Sequence, residues 1–264
     1  MRHGVTAGNL AEKYGIAREN QDAFAARSHQ QAARATQSGR LEEEIVPVSV
    51  KTRKGPVEVT KDEHIREGAT QESLSKLKPA FKKENGTVTA GNSSGINDGA
   101  AALVVASDEA VNQEDLEPMG RIVSWAVAGV DPNIMGIGPV PASRRALKRA
   151  GLSLDEVDLV EINEAFAAQY LACEEELGLD REKVNVNGGA VVERSLSATR
   201  WEQAGRGSSL PSSTSSSGAR RGMASLRYAS AAARASRWSS SRFRDAELLS
   251  WRRALGLAFI LEGI

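Results

Sequence analysis

The run Asp158-Leu-Val-Glu-Ile-Asn-Glu-Ala-Phe-Ala-Ala-Gln169 constrains the fold of this chain more than any other stretch. An apolar-alternating segment through Val157, Leu159 and Ile162 reads as a strand, and Ala165 to Leu177, free of Gly and Pro, reads as the helix after it. A strand feeding straight into a helix is the building unit of α/β domains, and Asn163 falls at the junction. Ligands of open α/β sheets gather in the crevice outside the carboxyl ends of the strands, where a side-chain amide can hold a water or a carbonyl oxygen. The plainer role for an Asn in this position is to cap the helix.

Strand and helix patterns alternate from Ala100 to Gly189, which gives an α/β class on pattern alone. Before that, Arg18 to Thr36 predicts a helix with Phe24, Ala25, Ser28 and Ala32 on one face and Gly39 ending it. Glu42 to Val50 predicts a strand through Val46, Val48 and Val50, and Lys51 to Gly68 predicts loops and a short hairpin. Ser107 to Asn112 reads as a short helix, and Arg121 to Val130 as a strand. Pro139 opens a helix with Arg144, Arg145, Lys148 and Arg149 outward and Ala142, Ala146, Leu147 and Ala150 inward.

Zero formal net charge hides a split: residues 1–190 hold 22 Lys and Arg against 29 Asp and Glu, whereas residues 191–264 hold 12 Arg, no Lys and 5 acidic residues. The single cysteine, Cys173, excludes an internal disulfide and fits a reducing compartment. No apolar run approaches the roughly 18 residues of a membrane span, so the sequence predicts a soluble, cytoplasmic protein with no membrane partner.

Asn163-Glu-Ala-Phe-Ala167 resembles the corresponding motif of the thiolases, the acyl-CoA C-acyltransferases. Four further stretches match in the same order: Thr87-Val-Thr-Ala-Gly-Asn-Ser-Ser-Gly-Ile-Asn-Asp-Gly-Ala-Ala-Ala102, Ala128-Gly-Val-Asp-Pro132, Gly136-Ile-Gly-Pro-Val-Pro141 and Asn185-Val-Asn-Gly-Gly-Ala190. The resemblance implies a partial thiolase fold, layered α/β with a mixed sheet. It divides the chain into the end of a first half (1–50), a loop domain covering coenzyme A (51–95), the last strand and helix of the first half (96–116), an incomplete second half (117–190) and an unrelated tail (191–264). It also implies acetyl-CoA C-acetyltransferase chemistry, condensing two acetyl-CoA to acetoacetyl-CoA or running the reverse thiolysis in a homo-oligomer. Coenzyme A enters as the thioester substrate, and no cofactor or metal is implied.

By the same resemblance, Asn163 holds the water of an oxyanion hole, while Ala165 and Phe166 face the acyl group. Ala90, Gly91 and Ser94 line the pantetheine channel, and Arg66, Ser73 and Phe81 meet the nucleotide end. Without it, Arg66 reads as a solvated charge and Phe81 as a core aromatic. Cys173 sits in Leu171-Ala-Cys-Glu-Glu-Glu176, where acidic neighbours raise a thiol's pKa, and reads as a packing residue. The family's acyl-accepting cysteine belongs ahead of Met1.

After Ala190 the resemblance stops. A Gly-His-Pro turn and a Cys-x-Gly segment are due; the tail holds 16 Ser and no His or Cys, with a low-complexity tract at Ser212-Ser-Thr-Ser-Ser-Ser217. Permitted codons for Thr199 to Ser209, read one base out of register, spell His-Pro-Leu-Gly-Ala-Ser-Gly-Ala-Arg. The same offset from Leu226 to Ser240 spells Thr-Leu-Cys-Ile-Gly-Gly-Gly, with its cysteine across Tyr228 and Ala229. These spellings point to a frameshift near residues 188–195, an irregular or disordered tail, and read-through beyond the family's end at 244–264. The rival is a basic tail that contacts nucleic-acid phosphates, which the lack of Lys and of interleaved aromatics argues against.

Overall fold

The computed structural model describes residues 3–42, 45–95, 104–118 and 120–189, together with the backbone of two strands at 224–231 and 255–262. Helix α1 (His3–Lys13) was not signalled by the sequence pattern, because Gly4 and Gly8 interrupt it. Its face of Thr6, Ala7, Leu10 and Ala11 is buried, and Gly4 is needed there because any Cβ would collide with the ring of Phe81. Helix α2 (Arg18–Gln37) buries Phe24, Ala25, Ser28 and Ala32 as expected, and Gly39 at φ 73° turns the chain away in the left-handed conformation.

Strands β1 (Val48–Thr52) and β2 (Gly55–Val59) form the anticipated hairpin, with Val48 opposite Val59 and Val50 opposite Val57. The strand expected over 42–50 therefore starts at Val48, and the hairpin does not bury these valines: Val48 and Val50 on β1 and Val57 on β2 stay 48%, 44% and 51% exposed. Two short helices follow, α3 (Gln71–Ser75) and α4 (Asp108–Gln113). The apolar run after Gly99, expected as the last strand of the first half, lies outside the described residues up to 103. Residues 104–106 take no strand conformation, and Val104 and Val105 are exposed.

The second part of the chain runs β3 (Arg121–Gly129), α5 (Pro139–Ala150), β4 (Leu159–Ile162) and α6 (Ala167–Leu177). Helix α5 starts on Pro139 and ends on Gly151 at φ 71°, with its arginines outward and Ala142, Ala146 and Leu147 buried. Arg145 and Arg149, one turn apart, donate to the carbonyls of Val127 and Trp125, two residues apart on β3, and so latch helix to strand. Phe24 of α2 stacks on Tyr170 of α6 with ring centroids 4.1 Å apart, so the helices of the two parts share one core.

The tail departs from expectation. Ala224–Ala231 (β5) and Leu255–Glu262 (β6) are strands, and the sheet order is β3-β6-β5-β4, with β5 parallel to β4 and β6 antiparallel to both neighbours. The mixed sheet itself was anticipated, but these two segments of the tail are not irregular. Leu255-Gly-Leu-Ala-Phe-Ile-Leu-Glu262 has the near-continuous apolar character of an inner strand.

Candidate active site

Asn163 follows the last residue of β4 and is 95% buried. It does not cap α6: the N-cap position falls on Phe166, which is extended at φ −150° and ψ 138°. Residues 165 and 166, expected as the helix start, are instead drawn out along the glycine-rich segment. Ser94 N–H donates to Ala165 O at 3.0 Å, Ala167 N–H donates to Asn92 O at 2.9 Å, and Ser93 bridges Phe166. This short lattice delays the helix, so Asn163 lies between the end of β4 and the helix start. Its Oδ1 accepts no hydrogen bond among the described residues, a costly condition for a buried carbonyl oxygen.

Two buried polar networks hold this crossing, and sequence reading nominated neither. In the first, Glu164, only 1% exposed, accepts from Ser28 Oγ at 2.6 Å and from Asn185 Nδ2 at 2.7 Å. Asn185 also closes on β4: its Oδ1 accepts from Ile162 N–H and its Nδ2 donates to Ile162 O, both at 2.8 Å. Gly189 N–H donates to Ser28 Oγ at 3.2 Å, and its Cα lies so near the Glu164 carboxylate that no Cβ fits. In the second, Arg18 Nε pairs with Asp22 Oδ2 at 2.7 Å, and Asp22 Oδ1 accepts from Asn92 Nδ2 at 2.9 Å. Asn92 Oδ1 accepts from Thr89 N–H at 2.8 Å, which pins the glycine-rich loop to α2. The available signal was the hydroxyl of Ser28 on the helix face expected to be buried; Asp22 carried none.

The remaining nominated residues divide. Phe81 meets Phe166 edge-on, centroids 5.9 Å apart, both rings half-buried. Gly91 is buried against Leu74 and Leu77, where a Cβ would come within 2.5 Å of Leu77, and Ala90 is exposed beside it. Ser94 and Ala165 meet through their backbones. Ser73 lies on α3 and its hydroxyl is engaged in a capping box with Thr70, donating to Thr70 O at 2.8 Å. Arg66 has an exposed side chain and a backbone N–H that donates to His29 Nδ1 on α2 at 3.2 Å.

Cys173 is fully buried, its Sγ donating to Gly136 O at 3.3 Å. Its thiol is pushed up to about 12, chiefly by burial and only secondarily by the Glu176 carboxylate, so the acidic-neighbour argument names the lesser cause. A separate cleft of about 210 Å³ lies between α1 and residues 82–87, and none of the nominated residues lines it. Among the described residues no group of three or more His, Cys, Asp or Glu could hold a metal, and no helix is long and apolar enough to cross a membrane.

Residues 1–109 match the family model for the thiolase N-terminal domain, and residues 116–193 match that for the thiolase C-terminal domain. The chain belongs to the thiolase family. Acetyl-CoA acetyltransferases of Rhizobium meliloti (strain 1021) and Pseudomonas aeruginosa are 56% and 58% identical to it over 189 and 190 residues, in each case 72% of this chain. The thiolase chain spans about half the length, 48%, of these curated relatives. The crystal structure of the Bacillus anthracis acetyl-CoA acetyltransferase superposes with a TM-score of 0.80 at 41% identity, covering 100% of this chain and 60% of that one. Human mitochondrial 3-ketoacyl-CoA thiolase in complex with CoA gives 0.72 at 36% identity, covering 99% and 59%. Likeness to these curated thiolases in sequence thus ends near residue 190, while likeness in shape runs through β5 and β6.

Proposed function

We propose that this thiolase chain is the coenzyme-A-holding portion of an acetyl-CoA C-acetyltransferase, the enzyme class that condenses two acetyl-CoA to acetoacetyl-CoA and thiolyses it in reverse. The supporting observation is the Asn163 amide, buried at the strand-to-helix junction beside the 92–94 and 165–167 lattice, with an Oδ1 that accepts no hydrogen bond among the described residues. Removing a proton α to a thioester puts charge on its carbonyl oxygen, and a fixed amide holding a water there stabilises that charge without reorganising. Phe166 and Ala165 would face the acyl group, Ala90, Gly91 and Ser94 the pantetheine arm, and Arg66, Ser73 and Phe81 the nucleotide end. Coenzyme A is substrate in this reading, the family's homo-oligomer is the assembly, and the cytoplasm is the compartment.

The 264 residues alone would bind and not turn over. A Claisen condensation needs a thiolate nucleophile and an acid/base partner, and the one cysteine is sealed in a helix with its thiol near pKa 12. Calorimetric titration with coenzyme A, run beside an acetoacetyl-CoA cleavage assay, is the test: binding with no cleavage is expected. Absence of binding would remove the reading, and cleavage at an intact enzyme's rate would remove the claim of inactivity.

We also propose that the tail is translated out of frame at least through β5. An inner strand with a parallel neighbour calls for a near-continuous apolar run, yet β5 reads Ala-Ser-Leu-Arg-Tyr-Ala-Ser-Ala. That mismatch joins the out-of-register spellings, one before β5 and one running through it. Sequencing the coding strand decides the matter: codons incompatible with the His-Pro-Leu-Gly spelling sink it.

A further inference from the structure

We infer that His29 is a positioning residue, a neutral imidazole whose Nδ1 sets the backbone that carries Arg66 and so fixes where a phosphate-bearing end of the ligand is met. The inference rests on the coenzyme A reading for its ligand but not for its geometry. His29 is 5% exposed on α2, and its Nδ1 accepts the Arg66 N–H across 37 positions of sequence. Residues 60–70, between β2 and α3, run without helix or strand, so Arg66 is not placed by any repeating hydrogen-bond ladder. An accepting Nδ1 requires the proton on Nε2, which is the neutral tautomer. Burial keeps it neutral, reinforced by the nearby Arg66 guanidinium and the His64 ring, and its pKa is held down to about 4. The exposed Arg66 guanidinium is then left free in direction to pair with phosphate, while its main chain is held.

Two variants separate positioning from mere packing. Asn carries an acceptor oxygen where His carries Nδ1, whereas Leu fills the space and accepts nothing. Hydrogen exchange of the Arg66 amide in the 264-residue chain is expected to quicken about tenfold in H29L and to stay near the parent rate in H29N. Titration with coenzyme A, dephospho-coenzyme A and pantetheine should show H29L weakening coenzyme A about tenfold, the 3′-dephosphorylated form less and pantetheine not at all, with H29N restoring the parent pattern. Equal Arg66 exchange in all three proteins, or a parallel loss for all three ligands in H29L, overturns the inference. Should the parent bind none of the ligands while Arg66 exchange still follows the residue at 29, the coenzyme A reading falls and the positioning role stands.

Discussion

Glu164 shows how much a single buried carboxylate can organise. Its bonds from Ser28 and Asn185 join α2 to the segment after α6, and Gly189 lies against it with no room for a methyl. Gly189→Ala should therefore lower unfolding stability by about 1–3 kcal/mol, as overpacking does, read from urea denaturation; a neutral result would mean that Glu164 has slack to move. Ser28→Ala removes the donor to Glu164 Oε2 and the acceptor of the Gly189 N–H, and should cost about 1–3 kcal/mol in the same measurement. His29 makes a pH prediction with a definite sign. Its folded pKa, about 4, lies below the ordinary 6.5, so between those values the unfolded chain binds the extra proton. Stability from this group is complete above pH 6.5 and declines as pH falls toward 4, with a slope of at most about 1.4 kcal/mol per pH unit. Comparing the parent with H29L across pH 7 to 4 isolates that slope, and parallel curves would refute it.

Among the elements, α2, α5, β3 and the β4-to-α6 crossing were legible because their apolar residues fall at helical or strand spacing and their ends carry Gly or Pro. Helix α1 was not, since two glycines lie within it for reasons that only Phe81 and the fold supply. The site was legible in part. Asn163 could be placed at the junction from pattern alone, but the extended course of Ala165 and Phe166 follows from bonds to residues some 70 positions earlier, which no local signal encodes. Ser73 illustrates the converse: its hydroxyl closes a capping box, a local role readable from Thr70 and Ser73 standing three apart. Ser73→Ala removes the N3 side of that capping box and should show as faster hydrogen exchange over residues 71–76; unchanged exchange would deny it a part in the box.

At the scale of the molecule, the hairpin leaves Val48, Val50 and Val57 uncovered among the described residues, and this face favours association. Replacing the facing pair Val50 and Val57 with Thr should leave the unfolding midpoint nearly unchanged and reduce concentration-dependent light scattering; scattering that persists would place the contact elsewhere. The sheet order has a temporal consequence. Strands β3 and β4 are not neighbours; the two ribbons that fill the space between them begin only at residue 224. During synthesis the first two strands leave the ribosome as open borders, and at about 5–20 residues per second they wait several seconds for the filling pair. Chaperone dependence during that interval is therefore written into the connectivity.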